Sequence, residues 1–144
     1  MLAHGGGDRV QEAQGLPGVA VAEFDGKTMK GWEGNLEMFR IEDGAIVAGT
    51  MDGRIPRNEF LCTEKEYTDF ELRLKFKIDG QKDKANAGVQ IRSQRIPNHH
   101  EMIGYQADAG MPYWGGLYDE SRRKKFLVPR LSPLDMQNAV HADD

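Results

Sequence analysis

The sequence predicts an all-β protein, built as a sandwich or barrel of short strands. Its readable apolar patterns repeat every two residues, and no segment shows a sustained apolar stripe at the helical period of 3.6 residues. Seventeen glycines are spread through the 144 residues, which favours a fold rich in turns. A chain of this length is expected to form one domain with a core of useful size.

The charge and composition exclude several classes of protein. A formal net charge of −4 argues against nucleic acid as the main partner, because such binding requires a basic surface. The basic cluster, Arg122-Arg123-Lys124-Lys125, follows two acidic residues and is interpreted as a solvated loop. The single cysteine, Cys62, cannot form an internal disulfide. No apolar run is long enough for a membrane-spanning helix.

The first elements are marked by turn signals. Residues 1–18 are rich in glycine and polar residues, so we expect a flexible tail or linker there and a domain over residues 19–144. Residues 19–24 match a first short strand, and Asp25-Gly26-Lys27 is a turn signal. Trp32 follows in a loop and is expected to anchor the core, because large aromatic side chains dominate core burial.

The strongest hairpin signal lies between residues 39 and 48. Two short apolar runs, Phe39–Glu42 and Ala45–Ala48, flank Asp43-Gly44. An Asp-Gly pair readily adopts the positive φ angles of a two-residue turn, so these residues predict two antiparallel strands. A further short strand is expected over residues 60–63.

The segment Phe70–Ile78 has the clearest strand pattern in the chain. Apolar residues occupy every second position, whereas a helix would scatter them around its circumference. The residues on the apolar face are Phe70, Leu72, Leu74, Phe76 and Ile78. The opposite face carries charged residues and is interpreted as solvated.

Glycine, aromatic and charged residues concentrate between residues 86 and 123. If Gly88–Arg92 and Tyr105–Asp108 are strands, the polar side chains of each share one face. Paired with these faces aligned, the strands form one polar patch, made of Gln90, Arg92, Gln106 and Asp108. Expected near its rim are Trp114, Tyr118, Glu120 and Arg122. Two interpretations stay open: the solvated face of an ordinary antiparallel sheet, or a surface that binds a sugar.

Three adjacent residues, His99-His100-Glu101, lie in the polar loop between those two strands. Their spacing matches no metal-binding motif. An exposed loop, a base or substrate contact, and a metal site therefore remain alternatives. The role of Asp108 also has two alternatives, because its carboxylate could be a catalytic base or form a structural ion pair with Arg92.

The pattern fades towards the end of the chain. Residues 126–128 match a short strand, residues 129–144 are irregular, and no closing strand is visible. Asp119 and Glu120 are adjacent and would point to opposite faces of an extended chain. This arrangement argues against an ordinary glycosidase, which needs two carboxylates flanking the scissile bond.

Six motifs in order carry a resemblance to a known family. They are FDGKTMKGW (24–32), EDGAIVAG (42–49), FLCTEKEYTDFELRLKFKI (60–78), NAGVQIR (86–92), GYQAD (104–108) and GGLYDESRR (115–123). Together they resemble the 3-keto-disaccharide hydrolase domain family, over about residues 19–128. The resemblance implies a concanavalin A-like jelly-roll β-sandwich that acts on glycosides whose sugar is oxidised at C3. It also implies export to the periplasm or cell exterior, although no signal peptide is visible.

The chain departs from the family pattern in two places. Many members have glutamate where this chain has Gln106, and glutamine cannot serve as a general acid or base. The family domain also continues with further strands that this sequence does not show. We therefore expect a sandwich that is incomplete at its C-terminus.

The chemistry implied by the family begins at the ketone, which acidifies the proton at C2. A base removes this proton, the C1 substituent leaves, and added water completes a net hydrolysis. The residues expected to be catalytic are Asp108, His100, Glu101 and Glu120. Those expected to bind the substrate are Gln90, Arg92, Gln106, Trp114, Tyr118 and Arg123.

The enolate formed in this reaction requires a cationic or hydrogen-bonding group to stabilise it. Arg92, Arg123 and Tyr118 are candidates, and a divalent metal held by carboxylates and histidine is an open alternative. The predicted function is a carbohydrate-active hydrolase or lyase that cleaves 3-keto-glycosides and has a small carbohydrate substrate. The alternative is a non-catalytic, lectin-like carbohydrate-binding module on the same fold.

Overall fold

The structure is a computed structural model that describes residues 2–4, 24–80, 84–110 and 112–132. Every regular element within these ranges is a β-strand, and all strand pairs are antiparallel. This architecture confirms the predicted all-β, sandwich-type fold class. The described residues contain no helix that is long and apolar enough to cross a membrane.

Within the described residues, ten strands, numbered in chain order, form three sheets. They are β1 (Leu2–His4), β2 (Trp32–Glu33), β3 (Phe39–Glu42), β4 (Ala45–Ala48), β5 (Cys62–Thr63), β6 (Phe76–Lys77), β7 (Ala87–Arg95), β8 (Met102–Ala109), β9 (Leu117–Glu120) and β10 (Lys125–Val128). The sheet orders are β3-β4-β1-β6, β10-β9-β8-β7 and β2-β5. The chain divides into two compact units: β1 to β6 lie in the first, and β7 to β10 lie in the second together with residues 51–60.

The predicted hairpin is confirmed as β3 and β4. Phe39 pairs with Ala48, and Glu42 pairs with Ala45 across the turn. Asp43 and Gly44 have φ angles of 48° and 76°, as a two-residue hairpin turn requires. Phe39 is buried, and so are the first three residues of β4, so this hairpin supplies the buried apolar side chains among the described residues of its unit.

Four predictions concern the first half of the chain. Leu2–His4, within the expected flexible tail, form β1, which pairs with β4 and β6. The strand predicted over residues 19–24 lies outside the described residues except for Phe24. Trp32 lies in β2 and not in a loop. It is half-buried and pairs with Thr63 of β5. The strand predicted over residues 60–63 is present only as β5.

The nine-residue strand predicted over Phe70–Ile78 is wrong for most of its length, since only Phe76–Lys77 form a strand. The intended core face is open to solvent: Phe70 is 45% exposed, Leu72 53% and Leu74 40%. Alternation shows that a segment has two faces of different polarity. A strand also needs a hydrogen-bonded neighbour, and within the described ranges no strand pairs with residues 70–75.

The long-stranded sheet, β10-β9-β8-β7, extends the strands expected in the central stretch. The segment predicted over Gly88–Arg92 grows to β7, and the one over Tyr105–Asp108 grows to β8. Strand β9 was not predicted, because its four residues show no apolar alternation. Strand β10 confirms the short strand expected over residues 126–128 and begins one residue earlier.

The turn at Gly44 provides a test of the hairpin. A Cβ at Gly44 would meet no atom within 4 Å, so Gly44→Ala adds only the cost of a positive φ angle. We expect this change to lower the free energy of unfolding by about 1 to 2 kcal/mol. Asp43→Asn is the control, because Asn-Gly is an equally favourable turn pair. Urea unfolding followed by circular dichroism measures both, and equal stability of the two variants would contradict the turn assignment.

Candidate functional site

The register of the long-stranded sheet brings several predicted site residues onto one face. Gln90 of β7 lies opposite Gln106 of β8, and Gln106 lies opposite Tyr118 of β9. Asp108 lies two residues after Gln106 in β8. Glu120 lies two residues after Tyr118 in β9, opposite Gly104, so the two acids lie on either side of the Gln106–Tyr118 pair. Because alternate residues of a strand share a face, these five side chains project to the same side. We call this side the polar face.

Hydrogen bonds run across the polar face in one direction and end at Asp108. Ser93 Oγ donates to Gln90 Oε1 at 3.1 Å, and Gln90 Nε2 donates to Gln106 Oε1 at 3.4 Å. Gln106 Nε2 then donates to Asp108 Oδ1 at 2.6 Å. Each amide thus accepts on one side and donates on the other, which fixes the orientation of both glutamines and directs the last N–H at a carboxylate.

Glycines make room for these side chains on the same face. A Cβ at Gly88 would lie 2.5 Å from Gln106 Cγ, and one at Gly104 would lie 2.7 Å from Gln90 Oε1. Contacts of this length do not occur between real atoms, so any other residue would push the glutamines out of position. The glycine content noted in the sequence therefore has a specific use here, which is to let amide side chains lie close to the sheet.

A β-bulge alters the prediction for Arg92. The register shifts between Ile91 and Gln94, and Arg92 has a φ of 53°. Strict alternation ends there, so the expectation that Arg92 follows Gln90 on the same face by simple alternation is wrong. Ser93 takes the place next to Gln90, and its hydroxyl begins the hydrogen-bond chain. Arg92 itself is exposed at the bulge.

Aromatic rings cluster at the edge of the polar face. The Tyr118 ring packs edge-to-face on Phe126 of β10 with 5.1 Å between centroids. Tyr113, in the β8–β9 loop, stacks on Phe126 with 5.8 Å between centroids. Tyr113 is 39% exposed and Phe126 37% exposed, so ring surface is available to a ligand. Sequence reasoning missed Phe126, although its position opposite Tyr118 would follow once β9 and β10 are paired.

Trp114 lies in the same β8–β9 loop and is half-buried. Its backbone carbonyl accepts a hydrogen bond from the Leu131 amide at 2.8 Å. The loop closes on Asp108, whose backbone N–H donates to the Gly116 carbonyl and whose carbonyl accepts from the Gly115 amide. These bonds hold the backbone of Asp108 at the end of β8, and the residue as a whole is only 8% exposed.

The carboxylates of the polar face have altered acidity. Burial raises the pKa of Asp108, although the hydrogen bond from Gln106 partly offsets the effect. Burial also raises the pKa of Glu120, and the nearby Glu101 carboxylate raises it further. The pKa of the Tyr118 hydroxyl is raised by burial and then by Glu120 and Asp108. Tyr118 therefore remains a proton donor in hydrogen bonds at neutral pH, between two carboxyl groups of reduced acidity.

Glu101 is held beside this group by the loop before β8. Asn58 Nδ2 donates to Glu101 Oε1 at 3.1 Å, and His100 Nδ1 lies 3.7 Å from the same oxygen. The His99 and His100 rings stack at 4.5 Å, and His99 Nδ1 accepts from the Glu101 amide. The structure thus brings the predicted His100 and Glu101 together as neighbours. It describes no set of three or more His, Cys, Asp or Glu residues arranged to hold a metal ion.

Arg122 and Arg123 belong to the opposite face of the sheet. The Asp119 side chain is fully buried there and accepts from Arg122 Nε at 3.1 Å and from Arg123 at 2.6 Å. Burial by itself raises the pKa of Asp119, but the two arginines outweigh it and hold the pKa below the usual range. Arg122 also lies 4.8 Å from the centre of the Tyr105 ring.

This placement corrects three expectations. Arg122 does not lie at the rim of the polar face, and Arg123 is not positioned there to stabilise an enolate. The basic cluster is not simply a solvated loop, since two of its residues neutralise a buried carboxylate. Asp119 and Glu120 do point to opposite faces, as their adjacency in a strand predicted.

Comparison with known proteins identifies the family of the chain. The model of one family, the 3-keto-alpha-glucoside-1,2-lyase-like domain, matches residues 20–141. The chain belongs to this family. The family resemblance seen in the sequence is thereby confirmed, and the 3-keto-alpha-glucoside-1,2-lyase-like family is a carbohydrate-active one. Neither a curated protein nor a solved structure matches the chain.

The raised pKa values predict how stability changes when the carboxylates are neutralised. A carboxyl whose pKa is raised on folding favours the folded state below its unfolded pKa of about 4. That advantage is lost as the pH rises through the folded-state pKa. Asp108→Asn and Glu120→Gln remove the charge, so at pH 7 we expect unfolding free energies equal to or above that of the wild type. Urea unfolding between pH 4 and 7 measures the effect.

Asp119→Asn is the matched control on the opposite face. Because the pKa of Asp119 is lowered, its ionised form stabilises the fold above pH 4, and this variant should be less stable than the wild type at pH 7. A loss of more than about 1 kcal/mol in Asp108→Asn as well would show that Asp108 has a structural role.

Proposed function

We propose that this protein cleaves 3-keto-glucosides by 1,2-elimination, with Asp108 as the base and Glu120 as the acid. The observation that carries the proposal is the placement of two carboxyl groups of reduced acidity on either side of the Gln106–Tyr118 pair. At about 3.3 Å per residue, the Cα atom of each acid lies about 7 Å along the sheet from that pair. A single sugar ring spans a distance of this order.

The elimination moves one proton to the protein and one from it. The Asp108 carboxylate takes the proton from C2, and the electron pair of that bond is held as an enolate with charge on the C3 oxygen. When the enolate collapses, a C1–C2 double bond forms and the C1–O bond breaks. The leaving oxygen takes a proton from Glu120, giving an unsaturated keto sugar and an alcohol. Addition of water to that sugar makes the net reaction a hydrolysis.

The environments of the two acids support this division of roles. Gln106 donates a 2.6 Å hydrogen bond to Asp108, which favours the ionised form needed in a base. Glu120 is subject to repulsion from the Glu101 carboxylate, which favours the protonated form needed in an acid. Burial raises the pKa of both groups towards the neutral range in which general acid–base catalysis is most effective.

Tyr118 and the glutamines supply binding groups between the acids. The Tyr118 hydroxyl stays protonated and lies between the two acids in the register of the sheet, so it is the neutral donor that we assign to the enolate oxygen. Gln90 and Gln106 provide amide groups that suit sugar hydroxyls, and the Tyr113–Phe126 pair offers a flat apolar surface for a ring face. The arginines on the opposite face have no part in this proposal.

The glutamine at position 106 fits the same account. A glutamate there would place a second negative charge beside Asp108 and would remove the N–H that donates to it. In this chain the acid–base function is therefore assigned to Asp108, with Gln106 holding its carboxylate. Many members of the family have the acid at position 106 instead.

A carbohydrate-binding module is the second candidate function. The amides and exposed aromatic rings would bind a sugar without any reaction, and Gln106 in place of an acid favours this alternative. The two functions predict the same ligand and differ in turnover, so one experiment separates them.

The test is release of a chromogenic leaving group from an aryl 3-keto-glucoside, measured with and without EDTA. We expect turnover by the wild type and a loss of about 100-fold or more in Asp108→Asn, as for removal of a general base. Glu120→Gln should lose less with an aryl leaving group, because an acidic phenol needs little protonation. Asp43→Asn, an Asp-to-Asn change in a distant turn, is the control and should keep full activity.

Two results would contradict the proposal. Wild-type turnover that survives in Asp108→Asn would remove Asp108 from the mechanism. Absence of turnover in folded wild-type protein that still binds the sugar by calorimetry would establish the binding module instead.

A further inference from the structure

Residues 51–60 belong to the same compact unit as the long-stranded sheet, although β5 and β6 separate them from that sheet in the sequence. Residues 51–58 are exposed, and Glu59 and Phe60 are half-buried. The segment contains no regular element of its own. Its position therefore depends on the contacts that its residues make with the sheet.

Two side-chain hydrogen bonds hold the end of this segment at one end of the sheet. Arg95, the last residue of β7, donates from Nη2 to the Phe60 carbonyl at 2.9 Å. Asn58 Nδ2 donates to Glu101 Oε1 at 3.1 Å, directly before β8 begins at Met102. Because Arg95 pairs with Met102, both bonds lie at the same end of β7 and β8.

The register shows which side of the sheet the segment covers. Met102 lies two residues before Gly104 in β8, and Gly104 lies beside Gln90 on the polar face, so Met102 projects to that side. Arg95 lies opposite Met102 and shares its side. Met102 is only 4% exposed. Residues 58–60 therefore lie on the side of the polar face, where Met102 is buried.

The distance from the proposed acid to this segment follows from the same register. Glu120 lies opposite Gly104, and Met102 lies two residues further from Gln106 along β8. At about 3.3 Å per residue, the Met102 Cα atom is about 7 Å beyond that of Gly104. In the proposed elimination, the sugar ring lies over the Gln106–Tyr118 pair and Glu120 protonates the leaving oxygen. The rest of the leaving group then extends over Gly104 towards Met102.

The Glu101 carboxylate connects the segment to the acid. Its charge raises the pKa of Glu120, so the two carboxyl groups are close neighbours. Glu101 Oε1 accepts from Asn58, whereas Oε2 is buried and has no hydrogen-bond partner among the described residues. A buried carboxylate oxygen without a donor is costly, so the bond from Asn58 matters for the position of this side chain.

We propose that residues 51–60 form the leaving-group wall of the site, held in place by the Asn58–Glu101 hydrogen bond. A small leaving group such as methanol ends before it reaches the wall, whereas a second sugar contacts it. The wall selects among leaving groups and takes no part in proton transfer. This inference rests on the proposed elimination, because that reaction sets the direction of the leaving group along β8.

Two substrates with the same 3-keto-glucose ring test the wall, one with methanol and one with a second glucose as leaving group. For the disaccharide, we expect Asn58→Ala to lower kcat/KM about tenfold, through KM, because the displaced wall loses its contacts with the second ring. For the methyl glycoside, kcat/KM should change by less than about twofold, as for a surface substitution away from the ligand.

Backbone order provides a readout that does not depend on turnover. Heteronuclear ¹H–¹⁵N NOE values of residues 51–60 should fall in Asn58→Ala, because the segment is released. They should not fall in Glu101→Gln, whose amide oxygen still accepts from Asn58. That variant removes the charge beside Glu120, so it should change kcat for both substrates alike and keep their ratio.

Exchanging donor and acceptor provides a rescue. Asn58→Asp places a second carboxylate against Glu101 and should release the segment as Asn58→Ala does. The double variant Asn58→Asp/Glu101→Gln restores one donor and one acceptor. It should recover both the NOE values and the wild-type ratio of the two substrates. Circular dichroism confirms that each variant is folded.

The outcomes separate this proposal from the catalytic one. If the wild type turns over both substrates, an Asn58→Ala variant with unchanged NOE values, or with an unchanged substrate ratio, overturns the wall and leaves the elimination standing. If the wild type turns over neither substrate, the elimination fails, and calorimetry with the two sugars replaces kinetics. Weaker binding of the larger sugar alone in Asn58→Ala would then support the wall, and equal effects on both sugars would contradict it.

Discussion

The register of β8 between β7 and β9 is the constraint on which the candidate site depends. It places Gln106 opposite both Gln90 and Tyr118, and so aligns the hydrogen bonds that run to Asp108. A shift of one residue would move every side chain of β8 to the other face and place Tyr105 among the amides. The bulge at Arg92 and the close packing of Gly88 against Gln106 both act to hold this register.

Local signals predicted the parts of the fold that local chemistry determines. The β3–β4 hairpin follows from Asp43-Gly44, because the turn residues and the flanking strands are adjacent in the chain. The segment Phe70–Ile78 shows the limit of this reasoning. Alternation specifies two faces but not a partner, and partners come from residues distant in sequence or from another chain. Strand β9 was not predicted for a related reason. Leu117–Glu120 forms a strand because it pairs with β8 on one side and β10 on the other.

The candidate site was predictable where alternation holds and unpredictable where it fails. Gln90, Gln106 and Asp108 share a face, as the sequence pattern indicated. Arg92 departs from that pattern because a positive φ angle at a bulge cannot be inferred from an arginine. Arg123 lies on the opposite face because the chain turns at Ser121, whose φ is also positive, and a buried aspartate then attracts both arginines. The charge of Arg123 suggested a catalytic role, whereas its ion pair with the buried Asp119 gives it a structural one.

The most direct test of the account is to locate a bound sugar on one face of the sheet. A 3-keto-glucoside titrated into ¹⁵N-labelled Asp108→Asn protein can be followed through side-chain amide and guanidinium N–H signals. We expect shifts in the Gln90 and Gln106 side-chain amides, with the Arg122 and Arg123 Nε–H signals unchanged. Shifts confined to those arginines, or none at saturating sugar, would contradict the assignment of the polar face as the carbohydrate site.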